Sequence, residues 1–172
     1  MTGVLDAETR AAERPGAHRD EVRLWLRLLA CSALIEGEIR ARLRTRFATT
    51  LPLFDLLAQL DRVPQGLTLG DLSRRMMVSN GNLTGLVERL VADGLVERRA
   101  HPADRRAALV RLSPAGQARF AVMAAAHAGW LADLFAGLDP DDAAMLMTGL
   151  ARMKSAVGTA IRHHHDTGGS DE

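Results

Sequence analysis

A mainly α-helical chain with one small β-hairpin is the fold class that the sequence predicts, and three observations predict it. From Asp20 to Phe47, the residues Val22, Trp25, Leu28, Leu29, Ser32, Ile35, Ile39 and Leu43 recur at helical spacing. Helix starts made of a capping residue and an early proline stand at Thr50/Pro52, Ser113/Pro114 and Asp139/Pro140. Two short β-compatible runs, Leu95–Arg99 and Ala107–Leu112, flank a charged turn.

Taken in order, residues 1–19 are polar, contain Pro15 and Gly16, and are expected to be a disordered tail. The first helix spans 20–47 and the second Pro52 to Arg62, where Val63-Pro64-Gln65-Gly66 ends it. Thr68-Leu69-Gly70-Asp71 reads as a capping box that opens a short helix to Met76. Ser79 caps another helix to Ala92, with Gly94 as its stop. After the hairpin come a long helix from Ser113-Pro114 to Phe135 and a last one from Asp139-Pro140 to Ile161. Residues 163–172 form a second polar tail, expected to be disordered. Two short capped helices followed by a hairpin make a winged helix-turn-helix, placed at 52–112 within one domain of 20–162. Leu131, Leu134, Phe135, Met145, Leu146, Leu150, Met153 and Val157 are more apolar surface than so small a core can bury. The segments 20–47 and 113–162 are therefore expected to be dimerisation helices, and the chain a homodimer.

The whole-chain figures exclude more than they assign. With 172 residues, 47% hydrophobic and 25% charged, this is an ordinary globular composition. No apolar run approaches the roughly 20 residues that cross a bilayer, and the N-terminus lacks a signal-peptide layout. A cytoplasmic protein without a membrane partner is expected. The single cysteine, Cys31, lies in an apolar helical stretch and reads as a buried, inert thiol. No nucleophile-elbow, P-loop or zinc-protease spacing is visible, so no enzyme, metal or cofactor is expected. His163, His164 and His165 sit in a polar tail without the packed surroundings of a metal site. Aromatics at 3% are too few for a single-strand stacking platform.

The helix after Ser79 carries the chemistry. Leu83, Leu86, Val87 and Leu90 share a core-facing stripe, while Gly81, Gly85, Glu88 and Ala92 lie opposite, flanked by Asn82, Thr84 and Arg89. Two glycines on an outer helix face cost about 1 kcal/mol each in propensity and allow a backbone to approach another surface closely. Asn80, Asn82 and Thr84 can hydrogen-bond base edges, and Arg89 a guanine or a phosphate. Ser79 and the helix N-terminus suit a phosphate oxygen.

The hairpin explains the arginines around it. A gap of about seven residues is too long for a tight turn, so the tip projects. Arg105 and Arg106 at that tip suit the negative potential of a minor groove. Asp104 pairs with Arg106 or accepts backbone N–H groups in the turn. Double-stranded DNA is the partner these features fit. A winged-helix protein-interaction module without an operator is the competing reading, and its outer face is expected to be apolar.

The stretch from Leu67 to Gly116 resembles the DNA-binding core of MarR-family transcriptional regulators. The resemblance is most specific at Asp104, Arg106, Leu112, Ser113 and Gly116, an Asp-x-Arg pattern followed by Leu-Ser-x-x-Gly. It covers roughly Asp20–Ile161. It implies a homodimer in which the first, fifth and sixth helices interlock and two winged lobes straddle a palindromic operator. By that resemblance Arg106 is the minor-groove arginine and Asp104 its holder, and a small-molecule effector releases the DNA, as for a repressor. The segment from Arg40 to Leu60 is similar to the branch that responds to aromatic acids or aromatic acyl-CoA thioesters, regulators of aromatic compound catabolism. Arg40 and Arg44 share one helix face and Arg42 and Arg46 another, so either pair can hold a carboxylate or CoA phosphates. Trp25, Phe54, Met123 and His127 are candidate pocket walls. The family also contains cysteine-based redox sensors, but the peroxide-sensing branch uses tyrosines and this chain has none.

Overall fold

The computed structural model describes residues 19–100 and 108–167. Among these described residues the elements are, in order, α1 Arg19–Phe47, α2 Leu51–Asp61, β1 Leu67–Thr68, α3 Leu69–Met76, α4 Asn80–Ala92, β2 Val96–Ala100, β3 Ala108–Leu112, α5 Pro114–Phe135 and α6 Pro140–Thr167. Two compact units divide between Leu131 and Ala132.

In the first unit the core is built from every element. Leu43 of α1, Leu56 and Leu57 of α2, Leu72 of α3, Leu83 and Val87 of α4, Val110 of β3 and Met123 of α5 are all buried. The strands form an antiparallel sheet in the order β1-β3-β2. The sequence reading did not contain β1. Its two residues pair Leu67 with Val110 and Thr68 with Leu109, contacts too distant in sequence to leave a local pattern. Gly66 delivers the chain to this strand at φ +97°, where an added Cβ would lie 2.9 Å from the Val110 carbonyl oxygen. Only glycine suits both constraints.

Thr68 ends β1 and caps α3. Its hydroxyl accepts the Asp71 N–H at 3.1 Å, and the Asp71 carboxylate accepts the Thr68 N–H at 3.3 Å, completing the expected capping box. The far end of α4 closes as a Schellman motif. Gly94, at φ +69°, donates to Val91 and Leu95 donates to the Leu90 carbonyl. Thr50 and Ser79 occupy N-cap positions without a side-chain capping bond, so backbone geometry alone begins α2 and α4.

The start of α5 shows what Leu112-Ser113-x-x-Gly116 does at this junction. Ser113 donates its N–H to the Leu95 carbonyl at 3.0 Å and its hydroxyl to the Gly94 carbonyl at 2.7 Å. The same hydroxyl accepts the Gly116 N–H at 3.0 Å. An added Cβ at Gly116 would sit 1.9 Å from the Leu95 oxygen, so α5 lies against the base of β2 only because residue 116 has no side chain.

Three expectations are corrected. Cys31 is exposed rather than buried: between Asp20 and Glu38 of α1 Ala30 alone is buried, and Cys31 lies outside that contact. Trp25, placed by its spacing on the apolar face of the first helix and offered as a pocket wall, is 59% exposed and lines neither of the cavities described below. Helix α6 continues past Ile161 to Thr167, because nothing from His163 to Thr167 breaks a helix. In the second unit α6 carries Asp141 and Asp142 in its first turn, favourable for its dipole, and the exposed apolar residues Met145, Leu146, Leu150, Val157 and Ile161. Among the described residues no single helix is long and apolar enough to cross a membrane.

Candidate nucleic-acid interface

The turn between α3 and α4 is set by one residue. Helix α3 stops at Met76, and Met77 adopts the left-handed conformation with φ 54° and ψ 37°. The Ser73 hydroxyl donates to the Val78 carbonyl at 2.7 Å and the Val78 N–H returns to the Ser73 carbonyl at 3.3 Å, which clamps the turn. Ser79 is extended, and its carbonyl accepts the Leu83 N–H at 3.1 Å as α4 begins.

Helix α4 presents the two faces its sequence predicts. Leu83, Val87 and Leu90 are buried, while Gly81, Asn82, Gly85, Glu88 and Arg89 are exposed. Thr84 and Leu86 lie at the boundary, half-buried. A Cβ built on Gly81 or on Gly85 meets nothing within 4 Å. No neighbour among the described residues therefore requires glycine at either position, although each weakens the helix. Asn80 opens the helix.

Strands β2 and β3 pair in continuous register from Val96↔Leu112 to Ala100↔Ala108. This stem brings both ends of segment 101–107 together. Asp104, Arg105 and Arg106 lie outside the described residues. In the stem, Glu97 accepts from Arg111 on the facing strand and pairs with Arg99 at 3.4 Å, while Arg98 is exposed.

A MarR-family model, described as MarR family, matches residues 50–107. A crystal structure of a MarR-family transcriptional regulator from Silicibacter pomeroyi is similar over 84% of this chain and 99% of that one, with 30% identity and a TM-score of 0.72. The chain belongs to the MarR family of transcriptional regulators. Transcriptional activatory protein BadR of Rhodopseudomonas palustris is 35% identical over 104 residues, which span 59% of this chain and 59% of BadR. The HTH-type transcriptional regulator YsmB of Bacillus subtilis is 28% identical over 141 residues, covering 82% of this chain and 94% of YsmB. These relatives are named as regulators rather than enzymes, in agreement with the absence of catalytic spacing in the sequence.

In this MarR-family chain the four arginines late in α1 separate into different surroundings. Arg40 is bound by Glu36, one turn earlier. On another face Arg42 donates to Glu38 at 2.6 Å, and Arg42 and Arg46 line a groove of about 320 Å³ with Ala41, Thr45 and Trp130. The Arg46 guanidinium also lies 5.5 Å from the centre of the Phe47 ring. Arg44 is exposed.

Of the pocket-wall candidates, Phe54 and His127 meet with ring centres 4.9 Å apart. Met123 is buried and lines a second cleft, of about 360 Å³, whose walls include Phe47, Leu57, Arg89 and Arg119. Trp25 stands exposed on α1 and lines neither cavity. Asp55, beside Phe54, has its carboxyl pushed above the ordinary value by partial burial and by Glu36; His127 and Arg40 pull the other way. Among the described residues no group of three or more metal-ligating side chains occurs.

Sequence reasoning missed two features here. Trp130 carries no distinguishing signal within the alanine-rich helix that holds it. Met77 had a weaker signal: helices commonly end on a residue in the left-handed conformation, and only Met77 and Val78 stand between the end of α3 and Ser79.

Proposed function

We propose that this chain is a dimeric regulator that binds double-stranded DNA by sequence, with α4 in the major groove and the 101–107 wing in the minor groove. The outer face of α4 carries the reading. Gly81 and Gly85 face open space beside the exposed Asn82, a surface shaped for close approach to something polar. A protein-interaction module would present apolar side chains there. In this reading Asn80, Asn82 and Thr84 contact base edges, Arg89 a guanine or phosphate, and Ser79 a phosphate oxygen. Arg105 and Arg106 enter the minor groove and Asp104 holds Arg106 in position. Helices α1, α5 and α6 pair two copies, so that two winged lobes read a palindromic operator.

An anisotropy titration against DNA upstream of the chain's own gene, at about 150 mM salt, tests this. Arg106→Ala is expected to weaken binding severely and Asn82→Ala to relax sequence preference. Binding no better than to a random duplex would defeat the proposal, and unchanged binding in both variants would defeat the contact assignment.

We assign repression, in which the bound dimer blocks the gene behind its operator; the name of BadR supports the opposite sign for that relative. A reporter that falls rather than rises when the gene is deleted reverses the assignment. The effector is assigned as an aromatic acid or aromatic acyl-CoA thioester whose carboxylate or phosphates meet Arg42 and Arg46, with Trp130 as the aromatic wall. Such ligands should raise the melting temperature and release DNA, and Arg42→Ala/Arg46→Ala should lose both effects. The exposure of Cys31 supports a second reading, thiol oxidation as the signal. Peroxide would then release DNA from the native chain and not from Cys31→Ser.

A further inference from the structure

We propose, on the reading that α4 lies in the major groove and the 101–107 wing in the adjacent minor groove, that Arg98 binds a backbone phosphate where the hairpin stem crosses between the two. One sugar–phosphate strand separates neighbouring grooves, so a chain that enters both must pass over it. The crossing segment is the paired stem of β2 and β3. A charged group on the side of that stem facing α4 meets the strand of phosphates.

The stem has two unlike faces. Side chains alternate along a strand, and directly paired residues share a face. The register pairs Val96 with Leu112 and Arg98 with Val110. Val96, Val110 and Leu112 are buried in one cluster with Leu83, Val87 and Leu90 of α4. Arg98 therefore continues the face that packs on α4, where the pattern calls for an apolar residue, and it is exposed. The opposite face holds Glu97, Arg99 and Arg111, whose charges are committed to one another. Glu97 accepts from Arg111 and pairs with Arg99 at 3.4 Å. Among the described residues Arg98 takes part in no ion pair. It stands about 7 Å along β2 from Val96, the buried residue of that strand. The next pair outward, Ala100 and Ala108, is too small to cover it. A guanidinium on the α4 side, turned away from the carboxylate of its own strand, is placed for a phosphate oxygen.

Anisotropy titrations of the full-length protein on its operator duplex, from about 50 to 300 mM salt, test this. Arg98→Gln should bind about tenfold more weakly at about 150 mM salt and flatten the log–log salt dependence by about two for the dimer, one phosphate per subunit. It should melt as the native chain does and keep the native order of preference among operator variants. Arg98→Lys should restore most of the slope. Arg99→Gln, on the face held by Glu97, should flatten it by less than half as much. Neutral methylphosphonates placed one at a time along the strand between the grooves should weaken the native chain at one position per half-site and leave Arg98→Gln indifferent there. An unchanged slope in Arg98→Gln, a loss no larger than that of Arg99→Gln, or no methylphosphonate position that separates the two proteins overturns the inference while leaving α4 in the groove. A native chain that binds the operator no better than a random duplex overturns that placement and the inference with it.

Discussion

An added methyl group at Gly116 would lie 1.9 Å from the Leu95 carbonyl oxygen, a distance no packing adjustment of a side chain relieves, because the obstacle is backbone. Gly116→Ala is expected to destabilise the fold by about 3 kcal/mol, read as a lower urea midpoint. Ser113→Ala, which loses a capping bond without a collision, should cost about 1 kcal/mol. Equal effects would mean that α5 shifts freely against β2. Asp55 makes a different kind of prediction. Partial burial and Glu36 raise its folded pKa above the unfolded value, so the folded chain binds more protons than the unfolded one between the two. Its ionised form therefore penalises folding at neutral pH, and the penalty disappears as pH falls through the raised pKa towards the ordinary value. Asp55→Asn should raise the melting temperature at pH 7, with a gain that shrinks steadily on acidification. A gain independent of pH would show that charge is not its source. Asp71 has the opposite sign. Hydrogen bonds from Thr68 and Arg74 lower its pKa, so its contribution is complete above the ordinary carboxylate range and is lost as pH falls through the lowered value.

At the scale of elements, the turn of the helix-turn-helix pays for its geometry with a residue that disfavours it. Met77 holds φ 54° with its side chain 92% exposed, so it gains almost no packing in return. Met77→Gly should stabilise the chain by about 1 kcal/mol, measured by urea unfolding at fixed protein concentration. A destabilised variant would show that the methionine side chain packs against something the single chain does not contain. Caps, prolines and periodicity made α2 to α5 and the hairpin stem legible, because each is a local signal. Strand β1 was not legible, because Leu67 and Thr68 become a strand only through Val110 and Leu109. The candidate DNA-reading face was legible from the periodicity of α4 alone. What the residues could not show is that Gly81 and Gly85 face open space, which removes any internal reason for them. The effector region was the least legible, since equally spaced arginines on α1 end up bound by Glu36 in one case and lining a groove with Trp130 in another.

For the whole molecule, burial is the quantity that one chain does not close. A helix that amphipathic spacing marks as half-buried has to be covered, yet Trp25 on α1 and Leu146, Leu150 and Val157 on α6 stay exposed in the single chain. Cys31 was expected to be buried for the same reason: apolar spacing predicts that a face is buried but not by which chain. If a second copy supplies the cover, stability and association are one equilibrium, and the melting temperature must rise with protein concentration. Leu150→Glu/Val157→Glu puts two charges into that stripe, and is expected to give a monomer in sedimentation whose melting no longer depends on concentration. The winged-helix core contains neither residue, so the monomer should keep its helical circular dichroism. Its DNA affinity should nevertheless collapse, because each lobe then binds its half-site alone and loses the effective concentration that pairing supplied. A double variant that remains dimeric would place the interface elsewhere, with α1 the next surface to test. A monomer that binds operator as tightly as the native chain would show instead that one lobe suffices.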